Sequence, residues 1–326
     1  MEHLAPLLLT PVLVEKPWGG RRLGDLGRDL PPDAAVGESW DVVDLDGSAT
    51  SQPSPVSRVA HGPYEDLTLT ELVREHREAV LGRTRATEDD RFPLLFKHLD
   101  AREPLSVQVH PTPSVLADLP GARLKTESWV VVAADPGAEL MLGLVPGTTP
   151  EQVEAALGTP ALPPLLRRVP ARVGAVHHVP AGLVHALGGG VVVAEPQTPS
   201  DTTYRLYDWT EELGRAPRET HVHEAMTCLR AAWDLNLDPP AAAPAGDGLL
   251  VDTDAYRIAR HTAPLGGRVH QPQRLHPRVV VVVTGALGHG LLPAPLGPGG
   301  VVLLPAAWGG TLDAARGTTY LEVDVL

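Results

Sequence analysis

The segment Ser106-Val107-Gln108-Val109-His110-Pro111 alternates polar and apolar residues. Side chains two apart on a β-strand point to the same face, so Ser106, Gln108 and His110 share one face and the two valines lie opposite. Buried polar groups cost several kcal/mol unless they find partners, and a metal ion satisfies a glutamine oxygen and an imidazole together. The alternation therefore predicts a metal site on the polar face of this strand.

Two further segments offer ligands of the same kind. Glu127 begins a second predicted strand, and the turn that ends at His185 supplies another imidazole. The complete candidate set is Gln108, His110, Glu127 and His185. It carries one negative charge, so a divalent ion keeps about one positive charge and remains a Lewis acid. Zn²⁺ suits these N and O ligands best, and Mn, Fe or Co are chemically acceptable.

Each of these residues also has an ordinary structural explanation. An isolated Gln-x-His on a strand is more often a hydrogen-bonded pair in a core than a pair of ligands. Among the 14 histidines, His177 and His178 alternate in and out on another predicted strand, and His178 is the strongest competitor as a second imidazole ligand. The metal hypothesis therefore needs the four candidates to converge in space.

The composition is that of a soluble globular protein, with 43% hydrophobic and 21% charged residues. The apolar N-terminus carries Glu2, Pro6 and Pro11, which argues against a signal peptide and for an entering strand. No apolar run approaches the roughly 20 residues of a membrane helix. The single cysteine, Cys228, agrees with a reducing cytoplasm. We therefore expect a cytoplasmic protein that does not bind membranes.

The charge balance restricts the partners. Lys and Arg total 27 against 40 for Asp and Glu, a formal net charge of −13, which disfavours nucleic-acid binding. An anionic small molecule would be repelled at long range, so a phosphate site requires a local cluster of cations and backbone N–H groups. The sequence leaves the oligomeric state open.

The chain of 326 residues exceeds the usual size of one hydrophobic core, so we expect two packed units. The 32 Gly and 34 Pro favour short strands closed by turns, arranged as a barrel or sandwich. The predicted strands are 39–43, 105–110, 127–133, 175–179, 191–195, 256–261, 279–284 and 301–305.

Three segments predict helices added to this β core, within residues 65–90, 149–168 and 219–235. Thr68 and Glu71 form a capping-box pattern that opens a helix ending at Gly82. Thr149 and Gln152 open a short helix through residue 157. The third helix is predicted over 219–233, with the apolar face Val222, Met226, Leu229 and Ala232.

The segment 239–248 is rich in Pro, Ala and Gly and is the predicted linker between a unit of residues 1–238 and a smaller unit of residues 249–326. Residues 180–187 (PAGLVHAL) have a faint echo in residues 305–312 (PAAWGGTL), where Gly310 takes the position of His185. If the echo is a repeat, the second unit has lost the metal ligand.

Eight motifs, taken in order, closely resemble one protein family. They are KPWGG at 16–20, GESW at 37–40, FPLLFKHLDA at 92–101, LSVQVHP at 105–111, KTESW at 125–129, PAGLVHAL at 180–187, SDTTYRLYDW at 200–209 and GRAPRETH at 214–221. The chain resembles type I mannose-6-phosphate isomerase in its shorter bacterial form over about residues 10–230. The joint order of the motifs carries this resemblance, since none is decisive alone.

The resemblance implies a zinc-dependent, mainly β, cupin-type (jelly-roll) barrel with a second, smaller cupin-like barrel, which interconverts mannose 6-phosphate and fructose 6-phosphate. The family's metal ligands correspond to the four candidates already named. Its active-site arginine corresponds to Arg205, its cleft lysine to Lys125 and its cleft tryptophan to Trp18. The chain departs from the family at two positions: Ser128 stands where the family often has cysteine, and Pro196 stands where a β-branched residue is usual. Beyond residue 240 only the pattern of strands supports the resemblance.

The isomerase reaction moves a proton between C2 and C1 through a cis-enediol. We expect a metal and Arg205 to stabilise the developing oxyanion. Lys125 is expected to contact substrate or relay a proton, and Asp201 to position Arg205 or act in ring opening. The expected phosphate contacts are Lys97 and Ser106, with Arg215 and Arg218 in reserve. An iron-dependent cupin oxygenase and a non-catalytic sugar-phosphate sensor are the alternatives.

Overall fold

The computed structural model of the protein describes residues 4–47, 55–264 and 267–326. In its N-terminal part the strands are antiparallel and form sheets of six and five strands, in the orders β10-β7-β12-β5-β2-β3 and β13-β6-β11-β8-β9, beside a two-stranded pair β1-β4. The strands are β1 (Leu9–Thr10), β2 (Val12–Gly20), β3 (Val36–Val42), β4 (Arg58–Val59), β5 (Leu95–Ala101), β6 (Val107–Val109), β7 (Glu127–Ala134), β8 (Glu139–Leu144), β9 (Leu166–Pro170), β10 (Val176–Val179), β11 (His185–Leu187), β12 (Val191–Gln197) and β13 (Tyr204–Tyr207).

The C-terminal part forms a second β unit. Its sheets have five and three strands, in the orders β14-β15-β21-β17-β19 and β16-β20-β18. The strands are β14 (Gly248–Asp252), β15 (Tyr256–Thr262), β16 (Arg268–Gln271), β17 (Arg278–Thr284), β18 (Leu287–Gly288), β19 (Val301–Leu304), β20 (Gly310–Ala314) and β21 (Thr319–Val325). The mainly β fold with a second β unit is confirmed, and each of the predicted strands occurs with ends shifted by at most three residues.

Short helices cover the outside of the sheets. They are α1 (Leu69–Glu75), α2 (Arg77–Leu81), α3 (Pro150–Ala156), α4 (Thr210–Leu213), α5 (Val222–Ala231) and α6 (Trp233–Leu237), with 3₁₀ turns at Arg22–Leu26, Pro113–Asp118 and Pro163–Leu165. None of the helices within the described ranges has the length and apolar character needed to cross a membrane. Both predicted capping boxes, at Thr68 and Thr149, are present.

Three helix and strand boundaries differ from the sequence-based prediction. The first predicted helix is divided at His76, whose backbone leaves the helical region at φ −126°. The third begins at Val222 rather than at residue 219, because residues before it bond to β13: the N–H of His221 donates to the carbonyl of Arg205. Val222 is 44% exposed, so its assignment to the apolar face was wrong. The predicted entering strand begins at Leu9, and residues 1–3 lie outside the described ranges.

The hydrophobic clusters define the order of the layers. One cluster lies between the six- and five-stranded sheets of the N-terminal part and includes Trp129 of β7, Val193 of β12 and Leu142 of β8. A second lies on the outer face of the five-stranded sheet, under α3 and α5. Because side chains alternate along a strand, each sheet serves two clusters at once.

The largest cluster joins the two parts of the chain. It packs Phe96 and Val130 of the six-stranded sheet against Ile258 of β15 and Val323 of β21, with the buried faces of α1 and α2 at its side. A hydrogen bond of 2.9 Å between the hydroxyls of Ser128 and Tyr256 crosses the same contact. The back of the N-terminal sheet is therefore covered by the C-terminal unit rather than by solvent, while the proposed boundaries at 238 and 249 stay predictions.

We predict that this shared core makes both parts unfold together. Ile258→Ala removes buried methyl groups from a side chain that is 0% exposed, so the free energy of unfolding should fall by about 2–5 kcal/mol. Urea unfolding followed by circular dichroism and by tryptophan fluorescence should give one coincident transition for the parent and for the variant. Leu249→Ala, at a position 61% exposed in the same sheet, is the matched control and should change stability little. Two separate transitions in the parent would contradict a shared core.

Candidate metal centre and cavity

The predicted ligands are brought together from both sheets of the N-terminal part. Gln108 lies on β6 and His110 directly follows it, while His185 opens β11 and pairs with Gln108 across the five-stranded sheet. Glu127 opens β7 in the facing six-stranded sheet. One ligand atom from each of His110, Glu127 and His185 lies within 4.8 Å of the others, and all three residues are buried. The alternation seen in the sequence is retained, since Val107 and Val109 pack into the cluster on the opposite face.

The carboxylate of Glu127 is the centre of this group. Its Oε2 lies 3.3 Å from His110 Nε2, and its Oε1 lies 3.4 Å from His185 Nε2. The side-chain amide of Gln108 lies 3.2 Å from His185 Nε2. All four candidate side chains therefore direct a polar atom to one small volume between the two sheets.

Backbone carbonyl groups fix the orientation of both imidazoles. The Nδ1–H of His110 donates to the carbonyl of Thr202 at 2.9 Å, and the Nδ1–H of His185 donates to the carbonyl of Leu183 at 2.8 Å. A carbonyl oxygen can only accept, so the proton sits on Nδ1 in each ring and Nε2 keeps the lone pair that a metal ion would use. Here His110 Nε2 accepts from Lys125 Nζ at 3.1 Å, and His185 Nε2 accepts from Gln108 Nε2 at 3.2 Å. This arrangement of an oriented imidazole is typical of metal-binding histidines.

The protonation states also suit a cation. Burial, followed by the nearby Lys125 ammonium, lowers the pKa of His110 to about 3, and burial lowers the pKa of His185. Burial opposes ionisation of Glu127, yet Lys125 and the imidazoles hold its pKa well below the ordinary value. Neither buried oxygen of Glu127 accepts a hydrogen bond within the described ranges, although Lys125 Nζ forms an ion pair with Oε2 at 2.8 Å. Two neutral imidazoles and one ionised carboxylate are ligands that fit a divalent metal ion.

A cavity of about 350 Å³ lies beside this group. Its walls include the predicted metal ligand Gln108 and most of the residues predicted to act on or bind substrate, which are Trp18, Lys97, Ser106, Lys125, Asp201, Arg205 and Arg218. Further lining residues that the sequence analysis did not select are Lys16, Glu38, Trp129, Glu195 and Thr203. The cavity is of a size that suits a small ligand.

Several cations of the cavity are held by carboxylates. Lys97 is buried, and its ammonium lies 3.5 Å from a Glu38 oxygen and 3.4 Å from a Glu195 oxygen. Arg218 makes a two-pronged ion pair with Asp208. These pairs keep the side chains in fixed positions, which favours a site that is organised before its ligand arrives.

Arg205 differs from the other cavity cations. Its Nη1 donates to the carbonyl of Glu219 at 2.6 Å, and its buried Nε has no hydrogen-bond partner within the described residues. No carboxylate of that same part of the chain lies within ion-pair distance of its guanidinium. Its charge is therefore available to an anion in the cavity.

Arg215, predicted as a reserve phosphate contact, is not among the residues that line this cavity. Its guanidinium binds the Glu103 carboxylate at 2.9 Å and the carbonyl of Pro104 at 2.9 Å, and it does not line the cavity. The sequence motif placed it near Arg218, but the loop between them turns the two side chains in different directions. The ion pair fastens residues 214–221 to the loop before β6.

Glu195 is the principal cavity residue that sequence reasoning missed. Its Oε2 accepts a hydrogen bond from Trp129 Nε1 at 2.8 Å, while its buried Oε1 accepts none from the described residues. Burial, followed by repulsion from Glu127, raises the pKa of Glu195 to about 7. A signal existed in the sequence, because Glu195 is a charged residue that directly follows four apolar residues of strand β12, on the same face as Val191 and Val193.

The two parts of the chain differ in their capacity to bind metal. β20 begins at Gly310 just as β11 begins at His185, so the echo between these segments corresponds to similar strand starts.

His178, the competing imidazole of the sequence analysis, bonds to Ser128 on the outer face of β7 and takes no part in the centre. Across the described ranges, the group of His110, Glu127 and His185 is the only cluster of three or more His, Cys, Asp or Glu residues placed to hold a metal.

Comparison with known proteins gives one family. Residues 7–125 match the family described as "Phosphomannose isomerase type I, catalytic domain". The chain is 36% identical over 237 residues to the mannose-6-phosphate isomerase of Streptococcus mutans, and the aligned region covers 72% of this chain and 71% of that protein. It is 37% identical over 226 residues to a mannose-6-phosphate isomerase of Bacillus subtilis, and this aligned region covers 69% of this chain and 68% of that protein.

The fold agrees over nearly the whole chain. A crystal structure of the mannose 6-phosphate isomerase from Bacillus subtilis superposes with a TM-score of 0.80 at 28% identity, covering 98% of this chain and 99% of that one. The agreement includes the C-terminal unit, for which the sequence motifs gave no support, and the cupin-type fold is confirmed. The motifs, the buried His-Glu-His group and these similarities lead to one conclusion: the chain belongs to the type I phosphomannose isomerase family.

Proposed function

We propose that this protein interconverts mannose 6-phosphate and fructose 6-phosphate with a Zn²⁺ ion bound by Gln108, His110, Glu127 and His185. The observation that carries the proposal is the convergence of the buried His110, Glu127 and His185 beside a cavity walled by cations, in a member of this family. The bound ion would supply Lewis-acid stabilisation of oxygen atoms that become negative.

The side chains of the cavity account for the remaining requirements of the reaction. An aldose–ketose conversion removes the proton from C2 and delivers one to C1, passing through a cis-enediol with negative charge on oxygen. The Arg205 guanidinium, free of a carboxylate partner in the described chain, is suited to this charge. Lys97, Ser106 and Arg218 are proposed to bind the phosphate, and Trp18 to form an apolar wall.

Glu195 is our candidate for the group that carries the proton. A carboxylate with a pKa near neutrality both accepts and returns protons efficiently, and burial gives Glu195 that property. Lys125 and Asp201, which also line the cavity, are proposed to assist in ring opening. These charged groups also separate the isomerase from the iron oxygenase alternative, because an oxygenase gains nothing from a cluster of Lys and Arg around its substrate.

We predict that metal removal abolishes the reaction and that zinc restores it. In a coupled assay for fructose 6-phosphate formed from mannose 6-phosphate, chelated protein should be inactive and should recover on addition of Zn²⁺. His185→Ala should neither retain the ion nor recover, because one of the buried ligands is lost. His223→Ala, an exposed position on α5, is the control and should behave like the parent. Full zinc occupancy in His185→Ala would remove that residue from the ligand set, and catalysis that survives complete chelation would exclude a metal-dependent isomerase.

Arg205→Ala is expected to separate catalysis from metal binding. The variant should keep its zinc and lose about 100- to 1,000-fold in kcat, the usual effect of removing a donor to a developing oxyanion. Metal analysis and steady-state kinetics measure both quantities. Arg230→Ala, which removes an exposed arginine paired with Glu154, should leave both unchanged. A kcat near that of the parent in Arg205→Ala would refute the electrostatic role, and binding of the sugar phosphate without turnover in the parent would favour the sensor.

Glu195→Gln tests the proton-transfer assignment through the pH profile. Only the ionised carboxylate accepts a proton, so kcat/KM of the parent should rise with pH, with the midpoint of this limb at or somewhat below pH 7, since a bound cation offsets part of the repulsion from Glu127. The glutamine variant should retain zinc, lose about 100-fold or more in kcat and lack that acid limb. The phosphate of the substrate titrates near pH 6. An acid limb that persists in Glu195→Gln belongs to the substrate and would contradict the assignment.

A further inference from the structure

The turn of residues 180–184, called here the ligand turn, delivers His185 to the metal centre. Its backbone makes several bonds to neighbouring strands: Gly182 N–H donates to the carbonyl of His110 at 2.9 Å, and Gly143 N–H donates to the carbonyl of Val184 at 2.8 Å. The turn therefore bonds to the backbone of His110 and leads directly into His185. A small movement of the turn would move the Nε2 atom of His185 relative to Glu127.

One buried side chain from outside this turn completes its hydrogen bonding. Asn236 on α6 is 0% exposed, and its Oδ1 accepts from Val184 N–H at 2.7 Å. Its Nδ2 donates to the carbonyl of Gly182 at 2.7 Å and to the carbonyl of Ala232 at 2.9 Å. The amide thus uses its acceptor and both of its donors, with two of the three bonds made to the ligand turn.

Close packing places α6 at a fixed distance from the turn. Gly182 has φ +86°, and a Cβ at this position would lie 2.5 Å from the Cβ of Ala232 and 2.7 Å from Thr112 Cγ2. On the other side, a Cβ at Gly143 would lie 2.6 Å from the carbonyl oxygen of Asn236. Glycine at both positions lets the helix approach closely enough for the short side chain of Asn236 to reach the turn.

The hydrogen bonds of Asn236 hold the segment whose Leu183 carbonyl orients the His185 ring. Leu183 lies between Gly182 and Val184, and its carbonyl accepts the Nδ1–H of His185 at 2.8 Å. That bond determines the tautomer and the direction of the His185 ring. The Val184 N–H and the Leu183 carbonyl belong to one peptide group, and the Gly182 carbonyl belongs to the peptide group before it. Asn236 therefore holds the peptide group whose carbonyl aims Nε2 at the centre.

We propose that Asn236 is a positioning residue for the metal centre, acting through the ligand turn on His185; this inference rests on the metal site of the proposed function. Asn236 lies 51 residues beyond His185 in sequence. Its side chain bonds to the carbonyl or N–H groups of Gly182, Val184 and Ala232 rather than to a predicted ligand, and it is not among the described residues that line the cavity. Its contribution is to hold the turn in the binding geometry before the ion arrives. Without it, part of the binding free energy is spent on ordering the turn.

The test measures metal affinity rather than activity alone. For Asn236→Ala we expect Zn²⁺ affinity, from competition with a chromophoric chelator, to fall by about 10- to 100-fold, as for other residues that support metal ligands. The absorption spectrum of the Co²⁺-loaded protein should change in the variant, because the His185 ring is less firmly oriented. With Zn²⁺ in large excess, kcat should return towards the parental value, since the bound ion itself then holds His185.

Two further variants distinguish positioning from a general loss of stability. Val153→Ala, at a buried position of α3 in the hydrophobic cluster that α6 also contacts, should lower the midpoint of thermal unfolding while keeping the parental Zn²⁺ affinity and Co²⁺ spectrum. Asn236→Asp keeps the oxygen that accepts from Val184 and loses amide donors. It should remain folded, with a smaller loss of affinity than Asn236→Ala, and it serves in place of the alanine variant should that one fail to fold.

The outcomes separate this inference from the proposed function. Parental Zn²⁺ affinity and an unchanged Co²⁺ spectrum in folded Asn236→Ala, or in Asn236→Asp should the alanine variant not fold, would overturn the positioning role while leaving the metal centre intact. An equal loss of affinity in Val153→Ala would also overturn it, because general loosening would then explain the effect. A parent protein that binds no Zn²⁺ would overturn the metal centre and this inference together.

Discussion

The site depends on one buried carboxylate. A charged Glu127 excluded from water is costly, and the cost is offset only by opposite charge and polar groups placed close to it. The protein supplies the opposite charge as Lys125, whose Nζ lies 2.8 Å from Glu127 Oε2. The two imidazoles come from segments up to 58 residues away in the chain and turn Nε2 lone pairs towards the carboxylate at 3.3 and 3.4 Å. Within the described residues, both oxygen atoms of this carboxylate still lack a hydrogen bond. A bound cation would complete this environment.

Both parts of the chain contribute to the position of Glu127, because β7 of the N-terminal part carries it and the C-terminal unit packs against the back of that strand. Along β7, Glu127 and Trp129 face the centre, whereas Ser128 and Val130 face the other way. The outward residues pack against the C-terminal unit, where Tyr256 bonds to Ser128. The C-terminal unit carries no comparable metal cluster among the residues described, and its contribution is to bury the back of the strand that presents Glu127. A strand covered on both faces has little freedom to shift its register.

The cavity gathers basic side chains at one place in a protein of negative net charge. The formal net charge is −13, yet five basic side chains line this one depression: Lys16, Lys97, Lys125, Arg205 and Arg218. Most are held by acidic partners, so their positions are fixed at little cost when a ligand enters. Beside the lining carboxylates Glu38, Glu195 and Asp201, these five cations act at short range, while salt screens the distant surface charge within about 10 Å. Arg205 alone among them has no ion-pair partner of the described chain, and the anion of the reaction is the partner we propose for it.

The sequence by itself determined the strands, the two capped helix starts and the ligand segments. These follow from local patterns: the alternation at 106–110 fixes which side chains share a face, and the capping boxes at Thr68 and Thr149 are closed within three residues. The ordered motifs also indicated the family before any contact was known.

Only the tertiary structure decided how these pieces act together. Arg215 and Arg218 are three residues apart, yet one fastens a loop and the other lines the cavity, because the direction of each depends on partners far away in sequence. Glu195 and Asn236 carry no motif, and their importance arises from being buried beside the centre or behind its ligand turn. Local pattern fixes which face a side chain takes, but burial, ion pairing and pKa are properties of the assembled neighbourhood, so no reading of adjacent residues could supply them.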